Sequence, residues 1–585
     1  MKKLISLALV LALVLSMTAV AFAESKTTIS VSLASEPDTL DPALNSAVDG
    51  ATMIVHLFAG LATWAQDADG KFVIVPDLAV ELPEGVVNED GTVTYTYTLK
   101  DGLVWSDGKA LSAEDFEFAW KRAASAELGA DYGYMFEIVK GYGEELAVAA
   151  KDDKTLEVTI NNAVSYWNEL LAFPTYFPVR EDVVANEAWA TEPATYVGNG
   201  PYTMTGWEHN SVITLTKNAN YHAADTVKME EIKAFLSDDA NNMLANFKNG
   251  TWQLIDDVPV SEIATLKTEY PNSFVIAGQL GTYYVNFNVN KNLLPATSAL
   301  TGIEAEKANA EVRKALGLLL DRNYIVNDIA QGGQLPANTF VASGLTDADG
   351  KEFYQNAGHN EGYSGYYDVS EDAYVANFES ALEVLKKYYT YDEATGQFSD
   401  FPAFEYLYNT SAGHKAIAEY LQSVLAGVGI SANLVNQEWA TFLNTRKEGQ
   451  YEVARNGWIG DYNDPISFLD MWTSGSGNND VQYGKGAHAE LAMYNLDLTP
   501  FGLDVKVENG TWAETYDVLI KEVKASTDDV ARFAMMHLAE DMLMDTGALM
   551  PIYYYTDLYM IDENVEGFFS IPLGYKFFKY AVVNK

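Results

Sequence analysis

Short strand-like and helical segments alternate along almost the whole chain, and this alternation constrains the fold most. Alternating hydrophobicity predicts strands at residues 28–33, 93–99, 155–160, 212–216 and 404–408. Apolar residues at helical spacing predict helices at residues 113–124, 311–320, 374–388, 414–425 and 528–544. Ser112 and Asp115 have the spacing of a capping box at the start of the first of these helices. The pattern favours mixed α/β domains over a repeat array or an all-helical bundle.

The chain is too long for one hydrophobic core. Its 585 residues predict two or three domains. The most loop-like stretches, residues 342–372 and 475–479, are rich in Gly, Asp, Asn, Ser and Tyr, but neither has the character of an interdomain linker. Composition therefore does not mark the domain boundaries.

The first 23 residues have the features of a signal peptide. Lys2 and Lys3 precede an apolar run over residues 4–20, and Ala21-Phe22-Ala23 supplies a cleavage site. An uncleaved membrane anchor is the alternative, since the run is nearly long enough to span a bilayer. We expect a cleaved signal at residues 1–23 and an exported protein, either periplasmic or at the cell surface.

The charge and the lack of cysteine exclude several classes of protein. With 37 Lys and Arg against 82 Asp and Glu, the net charge is −45, which repels nucleic acid and anionic membranes. The chain has no cysteine, so it forms no disulfide and offers no lipobox cysteine for a lipid anchor. The sequence therefore does not indicate how the protein would be retained at a cell surface.

Motifs for catalysis or cofactor binding are sparse. No His-Glu-x-x-His, phosphate loop or dinucleotide fingerprint is present, and we expect no cofactor and no metal site. The two Asp-Ala-Asp-Gly sequences at residues 67–70 and 347–350 fit turns better than calcium loops. Ser106 and Lys109 fit a Ser-x-x-Lys motif without a Lys-Thr-Gly partner, which keeps an exported serine hydrolase as a minor alternative.

Five groups of segments carry a more specific pattern. They are SEPDTLDP (35–42) with LFAGL (57–61); VTYTYTLKDGLVWSDGKALSAEDFEFAW (93–120); GNGPY (198–202) with KNANY (217–221); LYNTS (407–411) with LVNQEWATFLNTRKEGQYEVARNGWIGDYNDPISFLD (434–470); and MPIYYY (550–555) after a predicted helix. Together they resemble the peptide- and oligopeptide-binding proteins of ABC importers. The resemblance extends over essentially the whole chain after the signal peptide.

The resemblance implies an α/β, two-lobed periplasmic-binding-protein-like fold with an additional domain, giving three domains with mixed sheets. Lobe I would combine residues 27–60, 190–280 and 550–585. The additional domain II would be residues 61–189, and lobe III would be residues 281–549. The chain would cross between the lobes more than once, which explains why composition marks no boundary.

The resemblance also implies a binding site. Asp461 would bind the peptide α-ammonium, and Arg455 a peptide carboxylate; from the residues alone, Asp461 could equally cap a turn and Arg455 could form a loose surface ion pair. His414 would be a second carboxylate partner for longer peptides, with an exposed histidine at a helix start as the alternative. The other predicted ligand-binding residues are Trp458, Arg446, Gly457, Ile459, Tyr283, Asn286, Ser46, Val48 and Tyr132, with Tyr134 in place of Tyr132 as an alternative and Val285 beside Tyr283.

The implied function is oligopeptide capture outside the cytoplasm and delivery to the membrane permease of an ABC importer by a monomer. The peptide would lie extended and pair through its backbone. Ser46 and Asn286 stand where the family has carboxylates, and Ile459 replaces a smaller residue, so a preference for basic side chains should be weakened. Other solutes on the same fold (a dipeptide, an opine, a metal chelate or an oligosaccharide) and a surface or matrix protein with only an interaction role remain alternatives.

Overall fold

The structure is a computed structural model that describes residues 27–33, 35–355 and 365–584. The predicted signal peptide lies outside these residues. The strands are β1 (Thr28–Ser32), β2 (Ala62–Gln66), β3 (Phe72–Pro76), β4 (Val86–Val87), β5 (Val93–Thr98), β6 (Val148–Asp152), β7 (Thr155–Ile160), β8 (Tyr202–Glu208), β9 (Val212–Lys217), β10 (Glu231–Phe235), β11 (Leu254–Ile255), β12 (Phe274–Phe287), β13 (Leu335–Pro336), β14 (Tyr391–Asp392), β15 (Gln397–Phe398), β16 (Phe404–Asn409), β17 (Ala432–Gln437), β18 (Val453–Ile459), β19 (Tyr494–Asp497), β20 (Lys506–Gly510), β21 (Leu549–Ile561), β22 (Val565–Glu566), β23 (Phe569–Ser570), β24 (Lys576–Phe577) and β25 (Val582–Val583).

Helices alternate with these strands. Those of seven or more residues are α1 (Val48–Leu57), α2 (Ala113–Ala123), α3 (Ala240–Lys248), α4 (Ile263–Glu269), α5 (Gly302–Leu318), α6 (Tyr374–Leu385), α7 (Ala412–Gly427), α8 (Trp439–Lys447), α9 (Trp512–Ala525) and α10 (Asp529–Asp545). Shorter helical segments include Gly133–Ile138, Trp167–Leu170, Glu181–Val184, Arg322–Tyr324, Ile325–Ala330 and Ile466–Leu469.

The predicted elements are confirmed, and their ends shift by at most three residues in all but one helix. The largest shift is in α5, which begins at Gly302 instead of residue 311. Residues 303–310 are rich in Ala and Glu, which are good helix formers but add little apolar periodicity, so the pattern missed that part of the helix. The capping box of α2 is present, since Asp115 accepts a hydrogen bond from the Ser112 N–H at 2.9 Å.

The largest sheet is mixed and is built around two long strands. Its path runs β17-β16-β18-β12-β21-β11-β1-β10-β9-β8, with β13 added to β21. Strands β12 and β21 pair antiparallel, with register shifts between Gly278 and Thr282 and between Tyr283 and Tyr284. These two strands join the group β16–β18 on one side to the group β1 and β8–β11 on the other. The chain thus passes between the two groups at β12 and again at β21.

A separate antiparallel sheet, β4-β5-β7-β6, is formed by residues of the N-terminal third. Helix α2 packs against it, and the Trp120 indole N–H donates to the Tyr176 carbonyl at 2.8 Å. The α/β fold class with several sheets is therefore confirmed. The boundaries given above for lobes I and III and domain II stay a prediction.

No helix in the described part of the chain is both long enough and apolar enough to cross a bilayer.

His56 on α1 makes a testable contribution to stability. It is buried, its Nδ1 lies 2.7 Å from the Thr52 carbonyl, and its Nε2 accepts the Phe578 N–H at 2.9 Å. Burial, aided by nearby Lys579, lowers the pKa of His56 from 6.5 to about 4. Between pH 6.5 and 4, the unfolded chain therefore binds a proton at His56 and the folded chain does not. The contribution of His56 to the free energy of unfolding is present above pH 6.5 and is lost as the pH falls towards 4.

We expect the free energy of unfolding to fall by up to ~3 kcal/mol more in the wild type than in His56→Gln between pH 6.5 and 4. Denaturant unfolding at several pH values measures this difference. Equal pH slopes for the two proteins would contradict the assignment.

Candidate functional site

A cleft of about 560 Å³ lies beside β18 and the crossing strands. This volume is within the range of about 300–1,000 Å³ that is usual for ligand pockets. Ten of the twelve predicted ligand-binding residues line it: Ser46, Val48, Tyr132, His414, Arg446, Arg455, Gly457, Trp458, Ile459 and Asp461. A neighbouring cavity beside Asp77 holds only about 20 Å³.

The structure places the remaining two residues, Tyr283 and Asn286, behind the cleft wall. Tyr283 is fully buried and stacks on Tyr553 at 4.7 Å between ring centroids. Asn286 is also fully buried and donates to the Tyr451 hydroxyl at 2.6 Å. Side chains alternate along a strand, so Tyr283 and Tyr284 lie on opposite faces of β12, and it is Tyr284 that lines the cleft. Asn286 shares the face of Tyr284 but lies two residues further along the strand, where it meets Tyr451. Sequence reasoning located the strand but not which of its residues border the cleft.

The structure also places Tyr134 and Val285, the two alternative candidates, outside the cleft lining. Tyr132 lines the cleft, whereas Tyr134 is buried and is not part of the lining. Val285 lies in the buried cluster with Tyr283.

Strand β18 has an open edge along the cleft. All seven of its residues pair with β12 on one side. On the other side, β16 pairs only with Val453 and Ala454. Arg455 to Ile459 therefore have a sheet partner on one side alone, and each of these five residues lines the cleft.

The direction of the backbone groups on this edge follows from the pairing. The Gly460 N–H donates to the Leu280 carbonyl at 2.8 Å, on the β12 side. Because N–H groups alternate in direction along a strand, those of Arg455, Gly457 and Ile459 point to the open side. The Gly457 N–H is held there by the side-chain oxygen of the preceding residue, Asn456, at 2.8 Å.

Asp461 lies just beyond one end of the open edge. Its residue is 7% exposed, and its Oδ1 accepts a hydrogen bond from the Tyr132 hydroxyl at 2.9 Å. Its Oδ2 is buried and has no hydrogen-bond partner among the described residues. Burial raises the pKa of Asp461 well above its usual value, and nearby Asp470 raises it further. An unmatched buried carboxyl of this kind is suited to a cationic guest.

Arg455 lies at the other end of the edge. It is 6% exposed, its Nε donates to the Asn409 side chain at 2.7 Å, and its guanidinium lies 5.4 Å from the Trp439 ring centroid. The polar partner of its Nε is thus a neutral amide, and the rings of Tyr283 and Phe442 also lie 5.9 and 5.2 Å from the guanidinium. A buried guanidinium with a neutral partner is suited to a guest carboxylate.

His414, near the start of α7, is close to Arg455. Its ring centroid lies 5.6 Å from that of Tyr283. Burial lowers the pKa of His414 well below its usual value, and the positive charge of Arg455 lowers it further. At neutral pH this imidazole is uncharged, so it could meet a carboxylate only as a neutral N–H donor.

Trp458 and Gly457 shape the wall of the cleft. The Trp458 indole N–H donates to the Ser467 carbonyl at 2.8 Å, and its ring lies 6.2 Å from that of Tyr132. At Gly457, an added Cβ would lie 2.2 Å from the Tyr555 hydroxyl. Glycine here allows the Tyr555 ring to lie directly against the open edge. Ile459 and Val48 approach one another across Gly574, where an added Cβ would contact both side chains.

Sequence reasoning missed a group of aspartates on the lining. They are Asp49, Asp238, Asp256, Asp257, Asp480 and Asp557. Burial raises the pKa of Asp49 to about 7, and its Oδ2 accepts the Trp439 indole N–H at 3.0 Å. Trp439, the partner of Asp49, lies within the matching stretch 434–470 and could have been predicted from it. Nothing in the sequence distinguishes the lining aspartates from the many others in so acidic a chain.

The Ser-x-x-Lys motif has an ordinary structural role. Ser106 and Lys109 lie in a turn closed by the Val104–Ala110 bridge. Lys109 pairs with Asp182 at 2.6 Å, and both side chains are more than half exposed. Among residues 27–33, 35–355 and 365–584, no cluster of three or more metal-ligating side chains is found.

Comparison with known proteins gives a consistent picture. The model of the family described as bacterial extracellular solute-binding proteins, family 5 Middle, matches residues 73–480. The dipeptide-binding protein DppE of Bacillus subtilis is 31% identical over 502 residues, covering 84% of this chain and 81% of that protein. The oligopeptide-binding protein OppA of the same organism is 31% identical over 575 residues, covering 95% and 93%.

Among solved structures, Haemophilus influenzae OppA in complex with the peptide RPPGFSPFR superposes with a TM-score of 0.78. It is 26% identical, and the match covers 96% of this chain and all of that one. The likeness therefore extends beyond the matched family segment to nearly the full length.

The close approach at Gly457 gives a prediction for packing. In Gly457→Ala, the new methyl group must displace the Tyr555 ring, which we expect to cost about 1–3 kcal/mol of stability. Gly427→Ala is the control, because an added Cβ there meets nothing within 4 Å at the end of α7. That change should be neutral or stabilising. Denaturant unfolding compares the two, and equal stabilities would contradict the packing.

Proposed function

This chain belongs to the bacterial extracellular solute-binding proteins of family 5, and we propose that its cleft binds a short peptide by adding it to the open edge of β18. The family consists of binding proteins, not enzymes. The observation that carries the proposal is an unpaired strand edge with Asp461 beyond one end and Arg455 at the other.

Backbone pairing explains how one cleft can accept different peptide sequences. A guest strand lying along Arg455–Ile459 would bond to the outward N–H and carbonyl groups, which are the same whatever the guest's side chains. It would displace the Asn456 side chain from the Gly457 N–H. Water in the remaining space would adjust to different guest side chains.

The two charged groups would fix the register and the length. Five edge residues extend over about 17 Å at about 3.3 Å per residue. A guest whose ammonium meets Asp461 and whose carboxylate meets Arg455 would therefore have about three to five residues. Longer peptides would have to extend past Arg455 towards His414.

The wider role follows from the relatives. The named relatives are peptide-binding proteins, which supports an exported protein that delivers peptides to the permease of an ABC importer. One chain supplies the edge and both charged groups, which supports a monomer as the binding unit. The lobes and the additional domain would then be those that the sequence predicts, with β12 and β21 as the segments that cross between them.

Peptides fit this site better than the other solutes considered. An opine, a metal chelate or an oligosaccharide has no run of backbone amides to match an unpaired strand. A dipeptide is too short for the length of the edge. It could place one terminus at Asp461 or Arg455 but could not reach both. A peptide satisfies the edge and both ends together.

Binding at Asp461 should release a proton. Burial raises the pKa of the empty carboxyl, whereas a bound ammonium stabilises its ionised form. Affinity for Ala-Ala-Ala should therefore fall as the pH falls below the pKa of the empty carboxyl.

Calorimetry at a series of pH values, in two buffers of different ionisation enthalpy, measures the proton release directly. We expect up to one proton released in the wild type and none from this site in Asp461→Asn. Equal release by the two proteins would contradict the ammonium assignment.

The carboxylate assignment can be tested by removing the charge from either partner. Amidation of the C-terminus of Ala-Ala-Ala should weaken binding to the wild type by ~2–5 kcal/mol, because the buried guanidinium loses its anion. In Arg455→Met, amidation should have little further effect. A loss on amidation that persists in Arg455→Met would place the carboxylate elsewhere. The same titrations show whether peptide is recovered uncleaved, as a binding protein requires.

A further inference from the structure

Arg446 lies on the cleft wall, and part of its guanidinium has no hydrogen-bond acceptor among the described residues. The residue is 5% exposed, and its Nε and Nη1 are buried without a hydrogen-bond partner among the described residues. Asp480 comes within 3.3 Å of Nη1, but its Oδ2 accepts its hydrogen bond from the Asn456 side chain at 3.0 Å. A buried charged donor that lacks an acceptor costs free energy. This guanidinium is therefore suited to an acceptor on a ligand in the cleft.

A second cation follows Arg446 on the same helix. The Lys447 ammonium donates to the Ser46 hydroxyl at 2.8 Å and pairs with Asp131 at 2.5 Å. Ser46 presents a neutral hydroxyl at this point. Asp49, the lining carboxyl of α1, is held at the other end of α8, where it accepts the Trp439 indole N–H at 3.0 Å.

Among the described residues, the Asn478 amide nitrogen and the Tyr284 hydroxyl are also buried on the lining without a hydrogen-bond partner. The unsatisfied acceptors of the lining, Oδ1 of Asp49 and Oδ2 of Asp461, belong to other parts of the cleft. We define the Arg446 pocket as Ser46, Tyr284, Arg446, Lys447, Asn478 and Asp480. Asp480 lies beside Arg446, and Asp131, outside the pocket, pairs with Lys447, so the two cations are matched in formal charge. The donors of Arg446 and Asn478 still have no hydrogen-bond acceptor in the described part of the chain.

We propose that the Arg446 pocket selects a peptide side chain that ends in a carboxylate, that is, glutamate or aspartate. The inference rests on the proposed function and adds a side-chain preference to it. A guest carboxylate would accept from Arg446 and from Asn478 in a desolvated site, where charge-assisted bonds are strongest. A guest ammonium would instead meet two cations and would have to compete with Asn456 and Arg446 for Asp480.

The test uses tripeptides that differ at one position. Ala-Ala-Ala is compared by calorimetry with nine variants that carry Glu, Gln or Lys at the first, second or third residue. Gln is the matched control for shape and Lys is the control for charge. We expect one position at which Glu binds about tenfold more tightly than Gln, and more tightly than Lys.

Two variants tie this preference to the pocket. In Arg446→Gln the ratio of Glu to Gln affinity should fall to about one, whatever the affinity for Ala-Ala-Ala. In Ser46→Asp the new carboxylate beside Lys447 should also reduce the ratio. If Arg446→Gln does not fold, the ratio of Glu to Gln affinity in the wild type and in Ser46→Asp still tests the inference.

The inference is overturned if Glu binds no more tightly than Gln at every position, or if the ratio is unchanged in both variants. If the wild type binds none of the ten peptides, the proposed function itself fails. Binding of Ala-Ala-Ala without a preference for Glu overturns only the side-chain preference.

Discussion

The open edge of β18 is the constraint on which the rest of the site depends. Because β16 pairs with β18 only at Val453 and Ala454, the next five residues of β18 present backbone groups to a cleft instead of to a neighbouring strand. Such an edge normally invites uncontrolled pairing with other chains, and proteins cover or shorten it. Here the cleft walls restrict access, and Asn456 occupies the Gly457 N–H, so only a narrow extended guest could replace these contacts.

Contacts across the cleft already join parts of the chain that are far apart in sequence. Tyr132 donates to Asp461 at 2.9 Å and Lys447 to Ser46 at 2.8 Å. Within the described part of the chain, Oδ2 of Asp461 and two donors of Arg446, the neighbour of Lys447, still have no hydrogen-bond partner. These two contacts can therefore hold the walls together while the groups that would bind a guest remain unsatisfied. A ligand would leave both contacts in place and would displace only the Asn456 side chain from the Gly457 N–H.

The sequence predicted the alternation of elements well because period-two and helical patterns reflect burial of one face. The matching stretch 434–470 also located Arg455, Trp458 and Asp461, which the structure brings to one cleft. It failed at Tyr283, which lies on the face of β12 opposite to that of Tyr284, and at Asn286, which shares the face of Tyr284 but meets Tyr451 further along the strand. Both outcomes depend on how distant segments pack around β12. Asp49 and Asp257 could not be found, because their significance comes from burial beside residues distant in sequence.

The most direct test of the account is a crystal structure of the protein with a bound tripeptide. We expect the peptide to lie extended along Arg455–Ile459, hydrogen-bonded to the Gly457 backbone, with its ammonium within about 3 Å of Asp461. A peptide bound in the cleft but not paired with this edge, or with its ammonium facing solvent, would contradict the central claim.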